Sequence, residues 1–101
     1  CLTAVQAGAD MVKIFPAAVA GPAYMTNLRM VYPEINLIPS GGISLDNAAD
    51  FIRSGASAIS GARNFFNREA VAREGLAWIT DQVATYIDLV AQAKATAEPL
   101  P

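Results

Sequence analysis

Met11-Val12-Lys13-Ile14-Phe15-Pro16 is the stretch on which the reading of this chain turns. Met11 to Phe15, apolar, β-branched or aromatic at every position but Lys13, reads as a short strand buried on both faces, and Pro16 stops it. Working backwards, Leu2 to Ala7 reads as the tail of a helix, and Gly8 is the residue helices favour just past their last turn. Working forwards, Pro22 suits a first helical position, and Tyr24, Leu28 and Val31 share one face of the helix it opens. Pro33 lies just past the stop. Ile35 to Ile38 is a second apolar run, closed by Pro39-Ser40-Gly41-Gly42. Ser44 can cap a helix over 45–54, with Ala48, Phe51 and Ile52 as its apolar stripe and Gly55 as its end. Ala56 to Gly61 is a third and weaker strand, rich in small residues, and Asn64 to Asn67 a short link. From Arg68 to about Ala95 the pattern is one long helix with Leu76, Ile79, Val83, Ile87 and Val90 as its buried stripe, and Gly75 as a point of interruption. Glu98 to Pro101 reads as a frayed end.

Strand and helix thus alternate three times after an initial helix tail, which implies an α/β fold with parallel strands. Three strands are too few to close a barrel, and a domain seldom opens with the end of a helix. Residues 1–101 are therefore expected to be the C-terminal part of a single larger α/β domain; a small self-contained three-stranded domain is the alternative. In the first case the strand at 11–15 should show an open edge, or be covered by other chain.

Composition narrows the function. The 101 residues are 53% hydrophobic and 16% charged, with seven basic and nine acidic side chains and a net charge of -2. Such a balance argues against a broad basic surface for nucleic acid. No apolar run reaches the length of about 18 residues that a membrane span needs. Without histidine the commonest proton shuttle and metal ligand is missing, and no cluster of metal-ligand spacing, Walker loop or GxGxxG pattern occurs. A lone cysteine, Cys1, excludes an internal disulfide framework and suits a reducing, cytoplasmic setting.

Lys13 stands out against this background. Lysine is almost never fully buried without a partner, since desolvating an ammonium costs several kcal/mol. The plain explanation is a stem lying along the sheet with its amine reaching water. The chemical explanation is an amine that sheds its proton on desolvation and attacks carbonyls. Its strand runs straight into a loop, and parallel α/β folds carry their sites at the C-terminal ends of strands. Gly41 and Gly42 follow the second strand, where glycine lets backbone approach a ligand closely and N–H groups face an anion, helped by the helix expected directly after them. An ordinary tight turn explains the same residues. Gly61, at the end of the third run, could complete the cradle, and Arg63 could pair with phosphate, although a surface arginine is the plainer reading. Asp46 and Asp50 suit a solvated helix face, and Trp78 and Tyr86 suit packing.

Taken together, Ala7-Gly8-Ala9-Asp10-Met11-Val12-Lys13-Ile14-Phe15-Pro16-Ala17, then Pro39-Ser40-Gly41-Gly42-Ile43-Ser44 and Asn47, resemble the KDPG/KHG aldolases, which cleave 2-keto-3-deoxy-6-phosphogluconate or 4-hydroxy-2-ketoglutarate. The resemblance runs from about Ala4 to Phe66. It implies a (β/α)8 barrel of which this chain carries about strands six to eight, a homotrimer, a 2-keto acid substrate, and a carbon–carbon lyase needing no metal or organic cofactor. It places the Schiff-base lysine on Lys13, the aromatic residue beside it on Phe15, a hydroxyl on Ser40 where the family most often has threonine, and the phosphate-binding backbone on Gly41 and Gly42. Ser60-Gly61-Ala62-Arg63 replaces the family's Gly-Gly-Ser or Gly-Ser, so Ala62 lacks a hydroxyl that helps hold phosphate. The family's acid/base glutamate and carboxylate-binding groups fall in its N-terminal half, so these residues alone are expected to be inactive. Two other functions fit the residues: a phosphate-binding barrel synthase or isomerase using Lys13 as an acid or charge clamp, and a non-catalytic module docking through the stripe of the long helix.

Overall fold

The structure, a computed structural model, describes residues 1–62 and 65–96. Helix α1 (Leu2–Gln6) leads into strand β1 (Val12–Ile14), followed by a single turn α2 (Ala17–Ala20) and helix α3 (Pro22–Val31). Strand β2 (Leu37–Pro39), helix α4 (Ala48–Arg53), helix α5 (Arg68–Glu74) and helix α6 (Ala77–Thr96) complete the order. The two strands pair in parallel, with Val12 opposite Leu37 and Ile14 opposite Pro39. That register sets their C-terminal ends side by side, so Phe15 and Ser40 leave the sheet at the same edge.

Only two strands form where the sequence reading expects three. Residues 57–61 do run beside β2: Ser57 N–H donates to Leu37 O at 2.9 Å and Ser60 N–H to Pro39 O at 3.0 Å. Three residues on one side span two on the other, so the ladder carries an extra residue. Pro39 faces this segment and has no N–H to donate back, which removes a reciprocal bond. The segment is accordingly held next to β2 without becoming a regular strand. On its other side β1 has no strand partner among the described residues, so the expected open edge at 11–15 is present.

The core centres on β2 and α4. Leu37, Met25, Phe51 and Pro39 are the largest fully buried side chains, joined by Val12, Ile35, Ile43, Ala48 and Tyr86. A second, smaller cluster of Ile52, Ala56 and Ala93 locks α4 against α6. Two expected apolar faces are displaced. On α3 the buried residue is Met25, whereas Tyr24 and Val31 are exposed and Leu28 is half-buried. On α6 the inward residues are Tyr86 and Ala93, with Leu76 73% and Ile87 61% exposed and Ile79, Val83 and Val90 half-buried. In both helices the true contact line lies about one position from the most hydrophobic one, because α4 and β2, not hydropathy alone, decide which flank is covered. Tyr86 also meets Phe65 edge-on, ring centroids 5.0 Å apart.

The long C-terminal helix is two. Gly75 takes φ +79°, ending α5, and Asn67 caps that helix by accepting from Ala70 N–H at 3.0 Å. The helix expected over 45–54 is shorter as well, since residues 44–47 form a turn before α4. The readings of Arg63, Asn64 and Glu98 to Pro101 fall outside the described residues. No described helix is long and apolar enough to cross a membrane.

Candidate active site at the strand ends

Lys13 occupies the middle of β1, between buried Val12 and half-buried Ile14, and is itself exposed. The expectation of a strand buried on both faces is therefore corrected: only Val12 is buried, since one edge of β1 and the face carrying Lys13 are uncovered. Lys13 lines an open groove of about 430 Å³ with Cys1, Ile14, Phe15, Val19 and Tyr24. No carboxylate pairs with its amine among the described residues, where Arg53–Asp50 at 3.8 Å is the one ion pair.

A second cavity, also about 430 Å³, opens on the other side of Phe15 and is lined by Phe15, Ser40, Gly41, Gly42, Ile43, Gly61 and Ala62. Five residues singled out in the sequence thus meet in one cavity, and Phe15, 71% exposed, forms a wall shared with the groove of Lys13. Ser40 is the buried polar residue of the cavity, 7% exposed.

The backbone here requires its two glycines. Gly41 and Gly42 take φ +90° and +78°, where a side chain is strained. A Cβ on Gly41 would lie 2.7 Å from Phe15 Cε2, and one on Gly42 would strike Ala18 Cβ. Close approach is enforced by two bonds that the sequence did not disclose: Ala17 N–H donates to Ser40 O at 2.7 Å and Ala18 N–H to Gly41 O at 3.0 Å. Residues 17–20, expected as loop, form a helical turn that these bonds start and Gly21 ends. Asn47 then closes the loop, Nδ2 donating to Gly42 O at 2.9 Å and Oδ1 accepting from Ser44 N–H at 2.8 Å.

Three successive carbonyls, Ser40, Gly41 and Gly42, are thereby taken. The N–H groups of Gly41, Gly42 and Ile43 have no acceptor among the described residues, which leaves a short run of donors along the cavity. Such a run holds an anion. The expected assistance from a helix starting right after Gly42 is corrected, because α4 begins only at Ala48; the donors come from the turn itself. A third hollow, about 410 Å³ and mostly apolar, lies between residues 57–59 and α6; Val83, Tyr86, Ile87 and Val90 line it, but none of the candidate substrate residues does. No cluster of metal-ligating side chains occurs among the described residues.

The chain is similar to several known proteins. A 2-dehydro-3-deoxy-6-phosphogalactonate aldolase from Escherichia coli K12 is 39% identical over 56 residues, covering 54% of this chain and 27% of that protein. A 2-dehydro-3-deoxy-phosphogluconate aldolase from Pseudomonas aeruginosa is 44% identical over 41 residues, 40% of this chain and 19% of that protein. Among solved structures, one described as native KDPGal superposes with TM-score 0.79 at 26% identity, over 91% of this chain and 43% of its own. The chain therefore spans less than half of that structure and aligns with about a quarter or less of these two relatives. The family model described as KDPG and KHG aldolase matches residues 1–82, most of the chain and all of both cavities, and so the chain belongs to the KDPG and KHG aldolase family.

Proposed function

We propose that residues 1–101 are the C-terminal portion of a (β/α)8 aldolase domain, contributing about strands six to eight, and that the complete protein is a class I lyase. Its substrate is a 2-keto-3-deoxy sugar acid carrying a 6-phosphate, and its products are pyruvate and an aldehyde. The observation that carries this reading is the shared wall: Phe15 separates the groove of Lys13 from the Gly41–Gly42 cavity. One extended substrate can thus present a keto carbon to an amine and a phosphate to backbone donors.

In the proposed reaction Lys13 Nζ attacks the keto carbon and water leaves, giving a protonated imine. The bond between C3 and C4 breaks as a base takes the C4 hydroxyl proton; its electrons flow into the imine, forming an enamine and releasing the aldehyde. Protonation of the enamine at C3 and hydrolysis of the imine return pyruvate and the free amine. The base and the groups holding the substrate carboxylate come from the rest of the domain, which would also cover the open edge of β1 and desolvate Lys13. Phe15 packs on the carbon chain, and Ser40, Gly41, Gly42 and Gly61 line the phosphate end. No metal or organic cofactor takes part. By the family's habit the assembly is a homotrimer working in the cytoplasm.

Pyruvate release from a phosphorylated 2-keto-3-deoxy acid tests the proposal in the complete protein. Lys13→Arg should abolish turnover, because a guanidinium forms no such imine; substantial residual activity would instead favour Lys13 as a charge clamp.

A further inference from the structure

Gly42 has one carbonyl and two ways to turn it. Directed into the cavity it would present a partial negative charge to any anion and turn the Ile43 N–H of the same peptide unit away. Its carbonyl is instead engaged by Asn47 Nδ2 at 2.9 Å, while the same amide accepts from Ser44 N–H at 2.8 Å. A single side chain thereby ties both ends of the loop that begins at the cavity and ends at α4. Asp46 N–H on Ser44 Oγ at 3.3 Å stiffens the turn between them. Asn47 lines neither cavity, so it acts through backbone alone.

We propose that Asn47 is a positioning residue for the substrate phosphate: it holds the Gly42 carbonyl back so that the Ile43 N–H of the same peptide unit stays available to the anion, beside the Gly41 and Gly42 N–H groups whose own peptide units are held by Ala17 and Ala18. The inference rests on the aldolase reading above and deepens it. Only an amide performs both tasks at once. Aspartate at 47 keeps the acceptor for Ser44 N–H, loses the donor to Gly42, and sets a charge near the site; alanine loses both bonds.

The experiment compares the complete protein with its Asn47→Ala and Asn47→Asp variants in three measurements: competitive inhibition by inorganic phosphate, KM and kcat with phosphorylated and unphosphorylated 2-keto-3-deoxy acids, and borohydride trapping with pyruvate. Loss of one net hydrogen bond's control over the cradle corresponds to roughly a five- to tenfold weakening. Both variants should weaken phosphate inhibition and raise KM for the phosphorylated substrate by about that factor, with kcat, KM for the unphosphorylated substrate and Lys13 trapping little changed. Aspartate should weaken phosphate binding at least as much as alanine. Unchanged phosphate inhibition in both variants, or equal losses on both substrates with trapping retained, would overturn the role of Asn47 while leaving the aldolase reading intact. Loss of trapping in alanine alone is a folding defect, and the aspartate variant then decides. A wild-type protein that neither traps pyruvate nor responds to phosphate would sink the aldolase reading and this inference with it.

Discussion

Gly41 and Gly42 are adjacent, share a left-handed backbone, and should nevertheless respond very differently to alanine. At either position the φ of about +80° to +90° costs a side chain about 1–2 kcal/mol. What differs is the neighbour. The Cβ of Gly41→Ala meets chiefly the ring of Phe15, which is 71% exposed and free to swing away, and touches backbone only at Pro16 Cα, 3.2 Å off, which a shift of a few tenths of an ångström relieves. The Cβ of Gly42→Ala meets Ala18 Cβ, fixed to a backbone whose own N–H is bonded to Gly41 O at 3.0 Å. Relief there requires moving α2, and overpacking of that kind costs about 1–3 kcal/mol more. Gly41→Ala is therefore expected to destabilise by about 1–2 kcal/mol and Gly42→Ala by about 2–5 kcal/mol, from the same two contributions. Ala18→Gly removes the opposing methyl, costs about 0.5–1 kcal/mol by itself, and should recover most of the excess when combined with Gly42→Ala. Urea unfolding of the four proteins measures the cycle. Equal losses at the two glycines, or additive losses in the double variant, would refute the close packing of the cradle on α2.

The corrected helix faces give two further stability tests. Met25→Ala should cost about 2–5 kcal/mol and Val31→Ala, at a 68% exposed position on the same helix, within about 0.5 kcal/mol; urea midpoints compare them. On α6, Tyr86→Ala should cost about 3–5 kcal/mol while Ile87→Ala stays within about 0.5 kcal/mol in this chain, the reverse of what the hydropathy stripe suggests. Phe15→Ala should leave the melting temperature almost unchanged yet raise KM about tenfold, since an exposed ring contributes to binding what it does not contribute to folding.

How far the fold could be read from residues depended on whether local chemistry or distant partners decide it. Pro22 at the start of α3 and Gly75 at the break before α6 are local devices, and both act where expected. Val12 to Ile14 and Leu37 to Pro39 form strands because short apolar runs bounded by turns have few alternatives. The irregular third run was not legible, because it depends on Pro39 lacking an N–H on the side that this run meets. Nor was the turn at 17–20, which owes its existence to two carbonyls more than twenty residues away. The convergence of Phe15, Ser40, Gly41, Gly42 and Gly61 followed from parallel strands ending at one edge. Asn47 belonged to a visible motif, yet its task appears only once the loop is closed in three dimensions.

The central claim is that Lys13 is the amine that bonds to the keto carbon. Incubating the complete protein with pyruvate and borohydride, then mapping the reduced adduct by peptide mass spectrometry, tests it most directly. The expected result is an N-(1-carboxyethyl) group on Lys13 alone, absent from the Lys13→Arg variant. Label on Lys94, label that survives Lys13→Arg, or no pyruvate-dependent label would contradict it.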